Sequence, residues 1–129
     1  MRVSEIMVKQ VARARPDETV EAARDRMEAS DIRHLPVVDA SDRLVGMVSD
    51  RDLLRARAFQ PPPTRISDIM SKHPQTIAPD ASAEAAAQAM LDFKIDALPV
   101  VANAMVVGIV TSTDFLSLAC KLLRASGSK

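Results

Sequence analysis

Two short constellations in this 129-residue chain carry side chains suited to holding a polar ligand: Ser49-x-x-Asp52 and Thr111-x-x-Asp114. A hydroxyl followed three positions later by a carboxylate has two physical readings. As a helix cap, the hydroxyl accepts from an amide of the first turn, and the acid suits the positive end of the helix. As a ligand site, the hydroxyl and the free amides hold a phosphate, and the carboxylate accepts from the vicinal hydroxyls of a ribose. The spacing leaves both readings open, and one carboxylate is able to serve both. Arg33-His34 is the next candidate. A guanidinium fork and an imidazole match phosphate oxygens, although a solvated arginine beside a partly buried histidine is the plainer reading. Arg51 stands beside Asp52, while Asp50 opposes an anion there.

Other chemistries lack their residues. Cys120 is the single cysteine, and His34 and His73 are the two histidines, so neither a disulfide nor a metal cluster is expected. Gly46, Gly108 and Gly127 are the three glycines, which leaves no phosphate-cradling glycine loop. No activated nucleophile or paired carboxylates appear, so an enzyme such as a nucleotide hydrolase is weighed and set aside. Met27 and Met90 read as core fillers. Cys120, lying among Leu118, Leu122 and Leu123, is expected to be buried and inert.

Formal charge is zero, with 17 basic and 17 acidic residues, and the aromatics are Phe59, Phe93 and Phe115 alone. A chain without a basic field or stacking platforms is expected to bind neither nucleic acid nor an anionic membrane. The apolar runs are shorter than a membrane span and no secretory leader is recognisable, so a cytoplasmic protein is expected.

The elements that position these residues are written twice. Ser4-Glu5-Ile6-Met7 returns as Ser67-Asp68-Ile69-Met70, Pro16-Asp17 as Pro79-Asp80, and Leu35-Pro36-Val37-Val38 as Leu98-Pro99-Val100-Val101, each 63 positions on. After one deletion, Gly46, Val48, Ser49 and Asp52 return as Gly108, Val110, Thr111 and Asp114. Two copies of one small unit follow, each too short to bury much alone, so a shared core is expected. The expected order within a copy begins with a short helical turn (4–8 and 67–71, with Ser4 and Ser67 as N-caps). An extended piece follows (11–15 and 75–78). Next comes a long helix (18–30 and 81–92), capped by Asp17 or Asp80 and burying Val20, Ala22, Ala23 and Met27, or Ala83, Ala86, Ala87, Met90 and Leu91. A hairpin is expected next (34–39 with 44–48, and 97–102 with 106–110), with Pro36 and Pro99 near a strand start or on an edge. A closing helix ends each copy (50–58 and 112–124). The units are expected at 1–60 and 64–124, joined by the stiff prolines 61–63, with a frayed tail at 125–129.

This ordered set, taken together and repeated, resembles a tandem pair of CBS domains, the modules named after cystathionine beta-synthase. The resemblance covers the chain to about residue 120. It implies an α+β fold of two pseudo-symmetric β-α-β-β-α units packed sheet to sheet, a homodimer, and a regulatory role without catalysis. It further implies two clefts between the units that take AMP, ADP, ATP or S-adenosylmethionine as a regulatory ligand, with no obligatory cofactor, and a regulated protein partner. Carried onto matching positions, the aspartates become ribose ligands. The first cleft is then formed by Ile32, Arg33, His34, Ser49, Arg51 and Asp52. By crossing from the other copy, Thr76, Ile77 and Ala78 join it. The second cleft takes Val11, Ala12, Arg13, Ile95, Asp96, Thr111 and Asp114. Because Asp96, Ala97 and Thr113 replace Arg33, His34 and Arg51, the clefts are expected to be unequal, the first favouring a phosphorylated nucleotide. The alternative is a dimerisation or partner-docking scaffold in which the clefts are vestigial.

Overall fold

The computed structural model describes residues 1–127. The elements in order are α1 (Val20–Ser30), β1 (His34–Val38), β2 (Leu44–Ser49), α2 (Asp50–Ala56), β3 (Ser71–Lys72), α3 (Ala83–Phe93), β4 (Ala97–Ala102), β5 (Met105–Thr111) and α4 (Ser112–Ala125). Single 3₁₀ turns at Val3–Glu5 and Ile66–Asp68 open the copies. The fold is the expected α+β arrangement, with two small sheets, each backed by helices.

Both hairpins are antiparallel, and both break register at the same repeat position, Val37/Val38 and Val100/Val101. The extended pieces add one parallel bridge each, Ala14 to Val37 and Ile77 to Val100. Val38 donates to Ala14 and the Pro36 carbonyl accepts from Ala14, so the side of β1 that carries the proline nitrogen faces this sparse pairing. The missing amide therefore costs the hairpin ladder nothing.

The openings of the two copies are exchanged. Val3 is wholly buried in the second lobe's core, with Ala86, Met90, Leu98, Val100 and Val110. Ile66 is wholly buried in the first lobe's core, with Ala23, Met27, Leu35, Val37, Val48 and Leu53. Backbone bonds follow the same exchange: the Val3 amide donates to Ala81 (2.8 Å) and the Ile66 amide to Glu18 (2.9 Å). Each sheet is completed from the other copy, β3 pairing with β2, and Val8 bridging Ile109. A third cluster of Met47, Ala97 and Ile109, joined by Val11, lies between the sheets.

Several local expectations need correcting. The N-caps of α1 and α3 are Thr19 and Ser82, whose hydroxyls accept from Ala22 (3.1 Å) and Ala85 (3.0 Å). Asp17 and Asp80 lie two residues earlier, in turns. In the first copy Glu18 stays outside the helix in the turn before it, its carboxylate pairing with Arg26 of α1 at 2.6 Å and accepting from the Arg15 amide. Ser4 and Ser67 sit inside their 3₁₀ turns, the N-cap positions being Arg2 and Arg65. Leu91 is 72% exposed, since it follows Met90 and is rotated by about 100° from the buried stripe. Cys120 is exposed and no residue of α4 is buried. Leu116, Cys120 and Leu123 form an outward stripe of the helix, while Leu118 is half-buried. Helix α2 stops at Ala56, two residues short of the expected end. Of the tail, Ala125 closes α4 and Ser126 is its C-cap; residues 128 and 129 lie outside the described residues.

The exchange depends on the absence of a side chain at Gly46 and Gly108. A Cβ on Gly46 would lie 2.6 Å from the Met70 sulfur and 2.9 Å from the Ser71 carbonyl oxygen; on Gly108 it would lie 2.6 Å from the Met7 sulfur and 2.9 Å from the Val8 carbonyl oxygen. A methionine can swing away, but a paired carbonyl cannot. Gly46→Ala and Gly108→Ala should each lower stability by about 1–3 kcal/mol in chemical denaturation. An unchanged midpoint for both would show that the openings are not seated this way.

Candidate functional site

The hairpin register brings the start of one strand against the head of the following helix. His34 pairs with Ser49, and Ala97 with Thr111. Just upstream, α1 and α3 end on left-handed residues, Asp31 (φ 51°) and Lys94 (φ 54°). These turns fold the chain back sharply, so that Ile32 and Ile95 cover the cores and donate to the Met27 and Met90 carbonyls, both at 3.0 Å. The next carbonyl, of Arg33 or Asp96, then accepts from the first amide of the helix: Asp50 at 2.9 Å, or Ser112 at 3.0 Å.

Both acids serve as caps. In the first copy the Ser49 amide donates to Asp52 Oδ2 (2.8 Å) and the Asp52 amide donates to Ser49 Oγ (3.2 Å). In the second, the Thr111 amide and hydroxyl both donate to Asp114 Oδ2, at 2.8 and 3.2 Å. The second carboxylate is therefore the more heavily engaged. In each, Oδ1 has no hydrogen-bond partner among the described residues, and both aspartates are half-buried.

His34 is half-buried beside these groups. Burial holds its pKa below the ordinary 6.5, against the opposing pull of Asp50, Asp96 and Asp52; Arg33 adds to the lowering. Asp96 belongs to the other copy, so the field at the first site crosses between lobes. Sequence reasoning assigned Asp96 only to the second cleft. Its effect on His34 follows from the repeat: residues 33–34 and 96–97 are symmetry mates, and sheet-to-sheet packing sets them near one another.

The remaining candidates divide. Arg33 and Arg51 are exposed, and so are Thr76 and Ala78. Alternation along the extended pieces sends Ala12 onto the first core and Ile77 onto the second, each its own copy's core. Val11 and Arg13 reach across instead. Val11 meets Met47, Ala97 and Ile109. Arg13 donates to the Val106 carbonyl at 2.8 Å, with Asp42 at 3.9 Å. That holds its guanidinium at the hairpin end of β5, about 16 Å along the strand from Thr111.

The sequence model of the CBS domain matches twice, over residues 3–58 and 66–121. The chain belongs to the CBS domain family. As a tandem CBS pair it is a module of regulatory kind. Inosine-5'-monophosphate dehydrogenase of Methanocaldococcus jannaschii is 33% identical over 116 residues, 89% of this chain but 23% of that enzyme. The chain thus spans under a quarter of the length of that relative. The CBS domain pair of protein MJ0100, in complex with 5'-methylthioadenosine and S-adenosyl-L-methionine, matches with a TM-score of 0.89 and 30% identity, over 95% of this chain and 98% of that one. CBSX2 of Arabidopsis thaliana, in complex with AMP, matches at 0.85 and 27%, over 94% and 97%.

A histidine whose folded pKa is depressed favours its neutral form. Its contribution to the stability of this CBS pair is complete above pH 6.5 and is lost as pH falls toward the lower folded value. Melting temperatures of the wild type should therefore decline through mildly acidic pH more steeply than those of His34→Gln. Parallel pH profiles for the two proteins would contradict this.

Proposed function

We propose that this CBS pair is a regulatory sensor of an adenine nucleotide or adenosyl compound, held in the crevice of the first copy. The observation that carries the reading is the half-buried Asp52, fixed at the head of α2 through Oδ2 while Oδ1 stays unengaged. A carboxylate pre-oriented in this way is a ready acceptor for a sugar diol. Arg33 and Arg51, both exposed near the same helix start, supply cations for a phosphate. The AMP, S-adenosyl-L-methionine and 5'-methylthioadenosine complexes of similar CBS pairs support the adenosine class of ligand. The second crevice is the poorer one: Asp96 stands where the first copy has Arg33, and Asp114 Oδ2 already accepts two bonds. A ligand touching both lobes would act by population shift, through its differential affinity for one relative arrangement of the lobes.

One observation favours a scaffold role beside this. Leu116, Leu122 and Leu123 on α4 are 68%, 60% and 58% exposed. An apolar face of that kind suits a homodimer or a regulated protein partner.

Calorimetry with AMP, ADP, ATP and S-adenosylmethionine tests the sensor reading. Binding with one strong site is expected, accompanied by a rise in melting temperature from mass action. Asp52→Asn should weaken the strong site by about tenfold or more, the loss of a charge-assisted bond pair, and Asp114→Asn should leave it intact. Absence of heat and of thermal shift with all four ligands would leave the scaffold reading in possession. Two equal AMP sites would overturn the asymmetry.

A further inference from the structure

We propose that the first lobe carries another ligand site, on its outer helical face, for a small molecule that joins one carboxylate to an apolar body. A hollow of about 450 Å³ opens there between the start of α1, the end of α2 and the proline linker. That size is within the ordinary range of small-molecule sites. Val20, Ala56, Pro62 and Pro63 give it apolar walls, and Arg24 and Arg57 also line it. Neither guanidinium has an ion pair or hydrogen bond among the described residues, whose ion pairs are Arg13 with Asp42 and Arg26 with Glu18.

Charge is sorted along this valley. A second hollow of about 300 Å³ shares Arg24 and Arg57 but adds the acids Glu28, Asp31 and Asp50. The acids thus gather toward the strand end, the guanidiniums stand in the middle, and the apolar walls lie toward the prolines. An amphiphilic anion has one favourable orientation: its charge on the arginines and its body against Pro62 and Pro63. In the larger hollow the two arginines face one carboxylate, Glu21. The planar fork of arginine fits a carboxylate edge-on.

The internal repeat argues that this is a feature of the first copy and not of the fold. Arg24 corresponds to Ala87, 63 positions on, and Arg57 to Ala119, 62 positions on after the deletion in the turn. Glu28 and Asp31 likewise become Leu91 and Lys94. The corresponding positions of α3 and α4 therefore lack both guanidiniums. This site is separate from the nucleotide crevice, and its test does not depend on that reading.

Isotope-labelled protein is titrated with benzoate and followed by amide NMR, with benzamide (same shape, no charge) and inorganic phosphate (charge, no apolar body) as parallel probes. Benzoate should give saturable shifts at Glu21, Arg24, Ala56 and Thr64, with benzamide and phosphate weaker by about tenfold or more, the loss of a charge-assisted pair or of the apolar contact. Arg24→Ala with Arg57→Ala, which copies the second repeat, should abolish those shifts; Arg24→Gln with Arg57→Gln, which keeps more of the side-chain packing, should do the same if the alanine pair melts early. No saturable benzoate shift, shifts centred on Arg33 and Asp52, equal response to benzamide, or binding that survives both double variants would each overturn the proposal.

Discussion

The structure depends on an exchange. Val3 and Ile66 each fill a core that belongs mainly to the other copy, and complete burial of a branched aliphatic side chain contributes about 1.5–3 kcal/mol. The exchange also seats Met7 over Gly108 and Met70 over Gly46, and it supplies the third element of each sheet. With the openings crossed, the two sheets are held together, and Met47, Ala97, Ile109 and Val11 close the space between them. The heads of α2 and α4 then come to lie beside the partner copy, which is how Asp96 reaches the field of His34. Every property of the candidate site that involves both lobes follows from this crossing.

Much of the fold was legible in the sequence because it was written in patterns that physics reads locally. The hairpins were visible as Val-rich runs around Leu-Pro-Val-Val, and the observed strands differ from the expected ones by a residue at the ends. The buried helix stripe through Ala23 and Met27, or Ala86 and Met90, was visible from its spacing. The caps were less legible. Asp17 and Thr19 are both good capping residues, and only tertiary demands decide between them: Glu18 is tied to Arg26, and the Glu18 carbonyl to Ile66. The crossing itself leaves no local trace, since an apolar residue in a short turn reads the same whichever core it fills. Helix α4 misled for the opposite reason. Leu116, Cys120 and Leu123 form an apolar stripe like any core stripe, yet it faces outward in this chain.

Of the site, the residue pairs Ser49 with Asp52 and Thr111 with Asp114 were legible in type and spacing, and their capping geometry matches the simpler of the two readings. The ligand reading rests on the oxygen that capping leaves over. What spacing did not convey is the difference between serine and threonine here. The threonine hydroxyl also donates to its acid, a bond the serine does not make, so that the two carboxylates present unlike acceptors from similar sequences. The arginine-lined hollow of the first lobe was also beyond local pattern, because Arg24 lies on α1 and Arg57 at the C-cap of α2, and they meet only when α1 packs against α2.

The crossed openings bear on where such a molecule comes from. Neither half closes its own interior, so a solitary ancestral copy could seal itself only by trading arms with an identical twin. Fusing the two genes turns that trade into an internal one. Stoichiometry is then fixed, association no longer depends on concentration, and each half becomes free to drift away from the other. The arginines that one copy shows where the other shows alanines are what such release from enforced symmetry looks like.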